Sequence, residues 1–434
     1  MRKVLSAAAA LGVCLALPSA ALAGADMSNE QILKELEYLR NKVQSQQEQI
    51  EALGSMVDKK VAAKVEEEVK KAGTSKVALA NEFIDQLTLK GDLRVRYEVL
   101  DKNYKDGKQG ATDISNRDRV RTRFRLGGVW DNKAENWQIG AGLATGSDDP
   151  TSTNDTWSDA KPFETGAINL DYAYAKHKWN DFVFILGQSE NPFTSSWVFW
   201  DSDVRLAGMT AQYGQKDGVF ATLGGYGAKY VNGDNFATLL AGQAGYKGKV
   251  AAAKYTLAAG YQTYSKSLIN EASSTFLLNN VDANKYELNI GDLYGDVSFP
   301  VGNVKLKLYG QIWQNFGADG NIGQSQAGSS FTKKPGDADQ GFVFGADAKY
   351  DAFKLGYAYS VVEADSLFGY LADADFGDGL SKTNKKGHRV NFGYDLSKNW
   401  GTSLTWLSYE RDEDWAAAKE DQVDLVQFDV SYKF

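Results

Sequence analysis

Apolar and polar side chains alternate along the chain from Leu87 to the last residue. In the segment "LTLKGDLRVRYEV" (residues 87–99), apolar residues occupy odd positions and polar residues occupy even ones. Successive side chains of a strand point to opposite faces, so this pattern predicts strands with one apolar and one polar face. Sixteen strands are predicted, near residues 87–99, 117–130, 136–144, 166–177, 181–188, 205–213, 219–227, 236–246, 249–263, 285–299, 303–314, 340–350, 352–362, 387–395, 399–410 and 422–434.

Long and short connections alternate between most of these strands. The long ones cover residues 100–116, 145–165, 189–204, 264–284, 315–339 and 363–386, and the short ones 131–135, 178–180, 214–218, 300–303, 350–352 and 396–398. Outer-membrane barrels have short turns at one end and longer loops at the other. The predicted fold is therefore an all-β transmembrane barrel, 16-stranded, antiparallel and up-and-down, over residues 86–434.

The segment "RDRVRTRFRLGGVW" (residues 117–130) has arginine at every second position from 117 to 125. An arginine that faces lipid costs about 2 to 4 kcal/mol at the bilayer midplane, so these five side chains are expected to face inward. Sixteen strands enclose a water-filled space that side chains do not fill. The predicted pore-lining residues are Lys90, Arg94, Arg96, Arg117, Arg119, Arg121, Arg123 and Arg125.

The long connection 189–204, "SENPFTSSWVFWDSDV", is unusually aromatic for a loop exposed to water. An exposed aromatic cluster of this kind is unfavourable, so we expect the loop to fold into the barrel. Its acidic residues would then face the arginines across a narrow aqueous gap and filter small solutes by size and charge. The predicted constriction residues are Glu190, Trp197, Asp201 and Asp203.

A simpler interpretation of the arginines remains open. They can pair with neighbouring carboxylates, among them Asp92 and Glu98, and stiffen the wall. Both interpretations can hold together, and an anion preference is a further expectation of the first.

Before the barrel, the pattern changes to a helical one from Ser28 to about Ala72. Apolar residues recur at alternating steps of four and three, which predicts a coiled-coil seam. The seam positions are Ile32, Leu36, Leu39, Val43, Gln46, Ile50, Leu53 and Val57. The alternative is one amphipathic helix that lies against its own domain. The predicted organisation is a coiled-coil helix at 24–72 in the periplasm and a linker at 73–85.

The first 23 residues have a basic start, an apolar run and an Ala21-Leu22-Ala23 site, which predicts a secretory signal peptide. Cys14 is the one cysteine and lies in this segment, so the mature chain would have no disulfide. The formal net charge of −8 becomes −10 when Arg2 and Lys3 are removed, which argues against a nucleic-acid partner. No catalytic cluster, metal site or cofactor is predicted, because the two histidines, His177 and His388, lie far apart in sequence.

The last strand ends "VQFDVSYKF", alternating to a terminal aromatic residue, Phe434. This resembles the C-terminal signal of bacterial outer-membrane proteins, which implies recognition of Phe434 by the barrel assembly machinery. The chain also resembles the "Putative porin" family of Gram-negative outer membranes and, more loosely, the trimeric general porins. The resembling stretches lie within about residues 90–210 and are "GDLRVRYE", "RDRVRTRFRLGG", "GLATGSDDPTSTND", "LDYAYAK", "ENPF" and "WDSDVRLAGM".

The resemblance implies passive diffusion of small hydrophilic solutes or ions through a homotrimer of barrels. No enzymatic activity is expected, because the sequence offers no catalytic cluster. The implied surroundings are outer-membrane lipid and lipopolysaccharide, with the helix in the periplasm and peptidoglycan as a candidate partner. The helical segment is absent from general porins, although some sugar-specific porins carry one. A second expectation is therefore kept: a structural protein whose barrel is an anchor and whose periplasmic helix tethers or spaces the envelope.

Overall fold

A computed structural model gives the fold of the chain. It describes residues 34, 37–52, 54–55, 84–104, 116–214, 216–231, 235–269, 287–318, 337–380, 382–413 and 420–434. The chain divides into two compact units, Met1–Lys71 and Ala72–Phe434. The predicted signal peptide (1–23) and most of the predicted linker (73–85) lie outside the described residues.

The second unit is a closed antiparallel barrel. Its sheet contains seventeen strands, of which β4 has only two residues and pairs with β2. The other sixteen form the wall, and β1 pairs with both β2 and β17, which closes it. The strands are β1 (Leu87–Tyr104), β2 (Arg117–Asn132), β3 (Trp137–Thr145), β4 (Asp155–Thr156), β5 (Ile168–Trp179), β6 (Phe182–Glu190), β7 (Arg205–Tyr213), β8 (Gly218–Val231), β9 (Asn235–Val250), β10 (Ala253–Tyr264), β11 (Asn289–Val301), β12 (Val304–Asn315), β13 (Gln340–Tyr350), β14 (Phe353–Val362), β15 (Lys385–Asp395), β16 (Trp400–Arg411) and β17 (Glu420–Lys433). The predicted sixteen-stranded barrel is confirmed.

The clearest departure from the predicted strand limits is at the end of β1. The alternation that predicted this strand ends at Val99, whereas β1 continues to Tyr104. Its extension pairs with β17, for example Lys102 with Val423, and this pairing keeps the backbone extended where the sequence pattern has stopped. The prediction of sixteen strands did not include β4, because two residues are too few to show a period.

The two faces of the wall differ in polarity. Apolar side chains such as Leu93, Tyr97 and Leu126 are exposed on the outer face, whereas Asp92 and Glu98 on the inner face are buried. This is the reverse of a protein that folds in water, and it is the arrangement of a barrel whose outer face contacts lipid. The alternation is thus explained by lipid outside and polar contacts inside.

Aromatic side chains mark both ends of the outer face. Near the short turns they form neighbouring pairs: the Trp179 and Phe182 rings lie 6.2 Å apart, and the Trp400 and Tyr432 rings 4.8 Å. Toward the long loops, exposed aromatic residues include Tyr230, Phe236 and Phe316. Two aromatic girdles at the membrane interfaces are typical of transmembrane barrels.

The largest apolar core lies inside the barrel, where two connections fold inward. Inner loop 1 (residues 191–204) joins β6 to β7, and inner loop 2 (residues 363–384) joins β14 to β15. Their buried side chains pack against inward residues of the long-loop half of the wall. Loop members of this core are Val198, Phe199, Trp200, Leu367, Phe368 and Phe376, and wall members include Trp313, Val362, Tyr409, Val423 and Leu425.

The lumen therefore has two different halves. In the long-loop half, the inner loops cover the wall and leave inward residues such as Val423 and Leu425 fully buried. In the short-turn half, inward residues such as Lys305 and Lys433 remain exposed. Any passage through the barrel is thus narrower in the long-loop half and wider in the short-turn half.

The first unit is helical where it is described, at residue 34 and over 37–52 and 54–55. The predicted seam residues Leu39, Val43 and Ile50 are 39%, 59% and 58% exposed. Among the described residues, no helix is long and apolar enough to span a membrane. Gln46 is exposed as well, and the other seam positions, Ile32, Leu36, Leu53 and Val57, lie outside the described residues. The coiled coil itself stays a prediction.

Candidate pore and constriction

The arginine column (Arg117, Arg119, Arg121, Arg123 and Arg125) lies on the inward face of β2. The neighbouring strand β1 places Arg94 opposite Arg123 and Arg96 opposite Arg121. Like charges that face each other across two strands are destabilising unless other groups compensate them. The contacts of these seven guanidinium groups are therefore the key to what this wall can do.

Carboxylates of the wall itself provide the first compensation. Asp92 accepts hydrogen bonds from Arg123 Nε at 3.0 Å and Arg125 Nε at 2.7 Å. Glu98, which is almost fully buried, accepts a hydrogen bond from Arg119 Nε. These contacts agree with the simpler interpretation, in which wall carboxylates pair with the arginines and stiffen the sheet.

Arg96 makes the best-formed of these ion pairs. Its Nε and NH2 atoms donate to the two carboxylate oxygens of Asp429 on β17, at 2.7 and 3.0 Å. A third donor, NH1, reaches Asp375 of inner loop 2 at 3.0 Å. Arg96 is 5% exposed, so this planar, bidentate pair is formed away from water and holds β1, β17 and the loop together.

Inner loop 2 also contacts the arginine column through Asp378. The Asp378 Oδ2 atom accepts hydrogen bonds from Arg117 NH2 at 2.6 Å and from Arg119 NH2 at 3.1 Å. The acids that cross the lumen to meet the arginines therefore come mainly from this loop. This loop was predicted only as a long connection.

Inner loop 1 contributes one carboxylate to the arginine column. Asp203 lies 3.4 Å from Arg125 NH1, and its other oxygen accepts hydrogen bonds from the backbone N–H and the hydroxyl of Thr153. Thr153 belongs to the connection between β3 and β5, which also supplies neutral partners. Arg121 donates a hydrogen bond to Ser152, and Arg94 donates one to Asn154. Three loops thus converge on one stretch of wall.

The other predicted constriction residues lie elsewhere. Glu190 is exposed at the end of β6, opposite Arg205 of β7. Asp201 accepts hydrogen bonds from the backbone N–H groups of Asp203 and Ala374, so it joins the two inner loops and does not face the arginine column. The Trp197 ring packs edge-on against Phe376, and the Arg389 guanidinium lies over its face, 4.6 Å from the centroid.

Specific contacts attach inner loop 1 to the wall. The amide oxygen of Gln311 accepts hydrogen bonds from both the backbone N–H and the hydroxyl of Ser196, each at 2.7 Å. The Phe199 ring packs on Trp313 at a centroid distance of 5.3 Å. These are buried polar and aromatic contacts of the kind that specify one arrangement of a loop.

Inner loop 2 has equivalent attachments. Phe376 is fully buried and packs on Tyr409, 5.3 Å away, while the Tyr409 hydroxyl donates to the backbone carbonyl of Asp378. Lys385, at the start of β15, is also fully buried and donates to the Phe376 carbonyl. The sequence carried a signal for this loop, because "SLFGYLADADF" is as rich in large apolar residues as the loop that was predicted to fold inward.

Two carboxyls meet at the junction of the inner loops. Burial, with the nearby Asp373 carboxylate as the next cause, raises the pKa of Asp201 to about 8. Burial also raises the pKa of Asp373. Asp375 differs: burial opposes its ionisation, but Arg96 outweighs that effect and lowers the pKa of Asp375 to about 2. Asp375, which meets an arginine, is therefore charged, whereas Asp201 at the junction is neutral over much of the ordinary pH range.

A cavity of about 280 Å³ lies beneath the tip of inner loop 1. Its lining combines the loop residues Ser195 and Trp197 with Tyr309, Asp347 and Arg389 of the wall. Within the described part of the chain, no three histidine, cysteine or acidic side chains are grouped as a metal site. His177 packs against Trp137 in a tilted arrangement and His388 contacts the Tyr357 hydroxyl, both on the outer face.

The predicted assembly residue, Phe434, lies at the end of β17. Its ring stacks with Tyr432 at 6.2 Å and with Phe124 at 6.4 Å, and its backbone pairs with Gly91 of β1. The terminal residue is thus part of the closing seam of the barrel. Its recognition by an assembly machinery stays a prediction.

Comparison with known proteins gives a family resemblance over part of the chain and a similar fold. The model of the family described as "Putative porin" matches residues 109–290, which agrees with the resemblance found in the sequence. OprB of Pseudomonas putida, in a structure at high pH, superposes with a TM-score of 0.54 at 11% identity, covering 81% of this chain and 96% of that one. OmpF of Salmonella typhi, in complex with daunomycin, covers 80% of this chain and 97% of its own at 13% identity and a TM-score of 0.49. No curated protein matches the sequence.

Proposed function

We propose that this protein is an integral outer-membrane porin for the passive diffusion of small hydrophilic solutes or ions. The chain resembles the Putative porin family over residues 109–290. The observation that carries the proposal is the closed sheet with lipid-compatible residues outside and charged residues inside. An open sheet or an apolar lumen would have no use for seven inward arginines, whose burial is costly unless polar partners or water surround them.

The inner loops restrict the class of solute. Arg117 and Arg125 keep 28% and 27% of their side-chain surface exposed, so water reaches the column, but the apolar core closes most of the long-loop half. A route of this kind suits ions and small polar molecules. The arginine column and its partners form the constriction in this proposal, and the pore-lining role extends to Lys90, Arg94 and Arg96.

The ion pairs decide how much charge the constriction presents. Six carboxylates lie within 3.9 Å of the seven arginines, namely Asp92, Glu98, Asp203, Asp375, Asp378 and Asp429. We call the seven arginines and these six carboxylates the arginine wall, which is therefore nearly neutral as a whole. It filters by size and by local hydrogen bonding more than by net charge.

Planar-bilayer recording tests the proposal. The purified full-length protein should give stable, stepwise currents in potassium chloride, and the combined Arg119→Ala, Arg121→Ala and Arg123→Ala variant should change the conductance. A folded protein that inserts but carries no current would reject a channel function. Unchanged currents in the variant would reject only the role of the arginine column.

Trimer formation is part of the same proposal. The exposed seam residues Leu39, Val43 and Ile50 give the helix an apolar face, and burying such a face between copies of a helix is the usual basis of coiled-coil assembly. The helix is proposed to lie in the periplasm. Size-exclusion chromatography with light scattering should give three chains for the full protein and fewer when the seam residues are changed to serine.

The exposed helical seam also favours a second candidate, a structural role in which the barrel is an anchor and the helix tethers the envelope, with peptidoglycan as its partner. Deletion of residues 26–72 separates the two. A channel keeps its conductance after the deletion, whereas a tether loses binding to isolated cell wall. The proposal also includes recognition of Phe434 by the barrel assembly machinery and contact with lipopolysaccharide. Assembly assays test these two parts.

A further inference from the structure

The short-turn end of the lumen carries a ring of lysines. They lie on inward positions of eight strands, β1, β5, β9, β10, β12, β13, β14 and β17, near the end of each strand on the short-turn side. We call these residues the lysine ring: Lys90, Lys176, Lys178, Lys247, Lys249, Lys254, Lys305, Lys307, Lys349, Lys354 and Lys433.

The strand register places several of these lysines directly opposite each other. Lys249 of β9 faces Lys254 of β10. Lys349 of β13 faces Lys305 on one side and Lys354 on the other. Like charges directly opposite on a sheet are destabilising, so this arrangement works against the stability of the wall.

Few acids offset the ring. Lys307 lies 3.8 Å from Asp296, and Lys349 and Lys354 share Asp395 at 3.5 and 2.6 Å. No carboxylate of the described residues lies within ion-pairing distance of Lys249, Lys254 or Lys305. The ring therefore has a clear excess of positive charge, in contrast to the arginine wall above it.

We propose, on the basis of the porin function proposed above, that the lysine ring is an anion-collecting vestibule and that it, more than the arginine column, sets the charge selectivity of the channel. The solutes it collects are small anions with chloride, carboxylate or phosphate groups. Rings of like-charged side chains in a channel mouth raise the local concentration of the opposite ion.

Solvent exposure gives this selectivity a signature. Most of the ring faces open water, and exposed charges are screened over about 10 Å at 0.1 M salt and about 3 Å at 1 M. A preference set by the ring must therefore weaken strongly as the salt concentration rises. A preference set by the half-buried arginines would be much less sensitive to salt.

The ring occupies only one mouth of the barrel. Anions that enter from the short-turn side meet the positive vestibule before the constriction, whereas those from the long-loop side meet it afterwards. The current through a channel inserted in one orientation should therefore be asymmetric in voltage at low salt.

The test compares two triple variants of the full-length protein in planar bilayers. The first is Lys249→Gln, Lys254→Gln and Lys305→Gln, three ring positions outside the ion pairs given above. The control is Lys133→Gln, Lys161→Gln and Lys216→Gln, which removes the same charge from exposed turns and loops. Circular dichroism and mobility on unheated gels show whether each variant is folded.

The reversal potential in a potassium chloride gradient gives the permeability ratio of chloride to potassium. In 0.1 M salt the ring variant should lose about twofold or more of this ratio, with a smaller loss in 1 M, and the control should match the unmodified protein. A folded ring variant with an unchanged ratio at low salt overturns the vestibule while the channel stands. A folded protein without current overturns the proposed function and the vestibule together.

Discussion

The arginine wall and the lysine ring face the same lumen but use positive charge differently. The arginines are half-buried and bound to carboxylates from two strands and two loops. The ring lysines are mostly exposed, and several face each other across neighbouring strands. The number of cations along a strand therefore says little about the field in a pore, because their partners decide what charge remains.

The residue types suit these two tasks. The planar guanidinium of arginine binds a carboxylate through two parallel hydrogen bonds and tolerates partial burial. Lysine carries a compact, strongly hydrated charge on a flexible stem, so it remains effective in open water. Arg96 with Asp429 and Lys254 opposite Lys249 are the extreme examples of the two.

Breaking the best-formed arginine pair should have the largest effect. Arg96→Ala leaves Asp429 buried without its bidentate partner, and removal of one member of a buried ion pair costs about 3 to 5 kcal/mol. The free energy of unfolding of Arg96→Lys should lie between that of Arg96→Ala and that of the unmodified protein, since lysine keeps the charge but cannot donate two parallel hydrogen bonds. Urea unfolding in lipid vesicles measures both. An equal free energy of unfolding for all three would contradict the structural role of this pair.

Releasing inner loop 2 should have the next largest effect. Asp378→Asn weakens two contacts at once, with Arg117 and Arg119, and uncovers positive charge in the constriction. Charge-assisted hydrogen bonds contribute about 1.5 to 3 kcal/mol each, so the loop should loosen and the single-channel conductance should rise. Asp148→Asn, in an exposed loop, is the matched control. Equal conductance in the two variants would show that inner loop 2 does not limit the passage.

The junction of the two inner loops should respond to pH. The pKa of Asp201 is raised to about 8 in the folded protein, against about 4 in an unfolded chain. Such a group contributes stability below pH 4 and loses that contribution as the pH rises toward 8. The thermal stability of the unmodified protein should therefore fall over this pH range relative to that of Asp201→Asn, whose side chain cannot ionise. Parallel pH profiles for the two proteins would contradict the raised pKa.

The smallest effect on stability is expected in the lysine ring. Lys254→Ala removes a charge that faces another lysine, so the free energy of unfolding should change by no more than about 0.5 kcal/mol. The same urea measurement used for Arg96 gives the comparison directly. A loss as large as that of Arg96→Ala would mean that Lys254 is held by contacts like those of the arginine wall, and the contrast between the two regions would fail.

Strand existence and facing could be predicted because each strand repeats its own evidence. In β2, five arginines alternate with residues such as Val120 and Phe124, and only one register of faces keeps charge away from lipid. The choice is local to the strand and costs several kcal/mol if wrong. The end of β1 was missed because a strand can be kept extended by its partner alone.

The partners of the constriction could not be predicted in the same way. Asp375 and Asp378 are more than 250 positions from the arginines that they meet, and nothing periodic links the two segments. Asp201 was placed with the acids that face the arginines, yet the backbone of inner loop 2 holds it instead. The apolar composition of inner loop 2 was a usable signal, since it is the same signal that identified inner loop 1.

Three features could be predicted from the pattern of residues: a barrel of sixteen strands, the inward direction of its arginines and the inward fold of one aromatic loop. These follow from a period of two and from the cost of burying charge in lipid, which act on each segment independently. Which cations are neutralised by carboxylates depends on the folded barrel, because its closure brings distant strands and loops into contact. The charge of a pore is a sum over those contacts, and a sequence pattern carries no record of them.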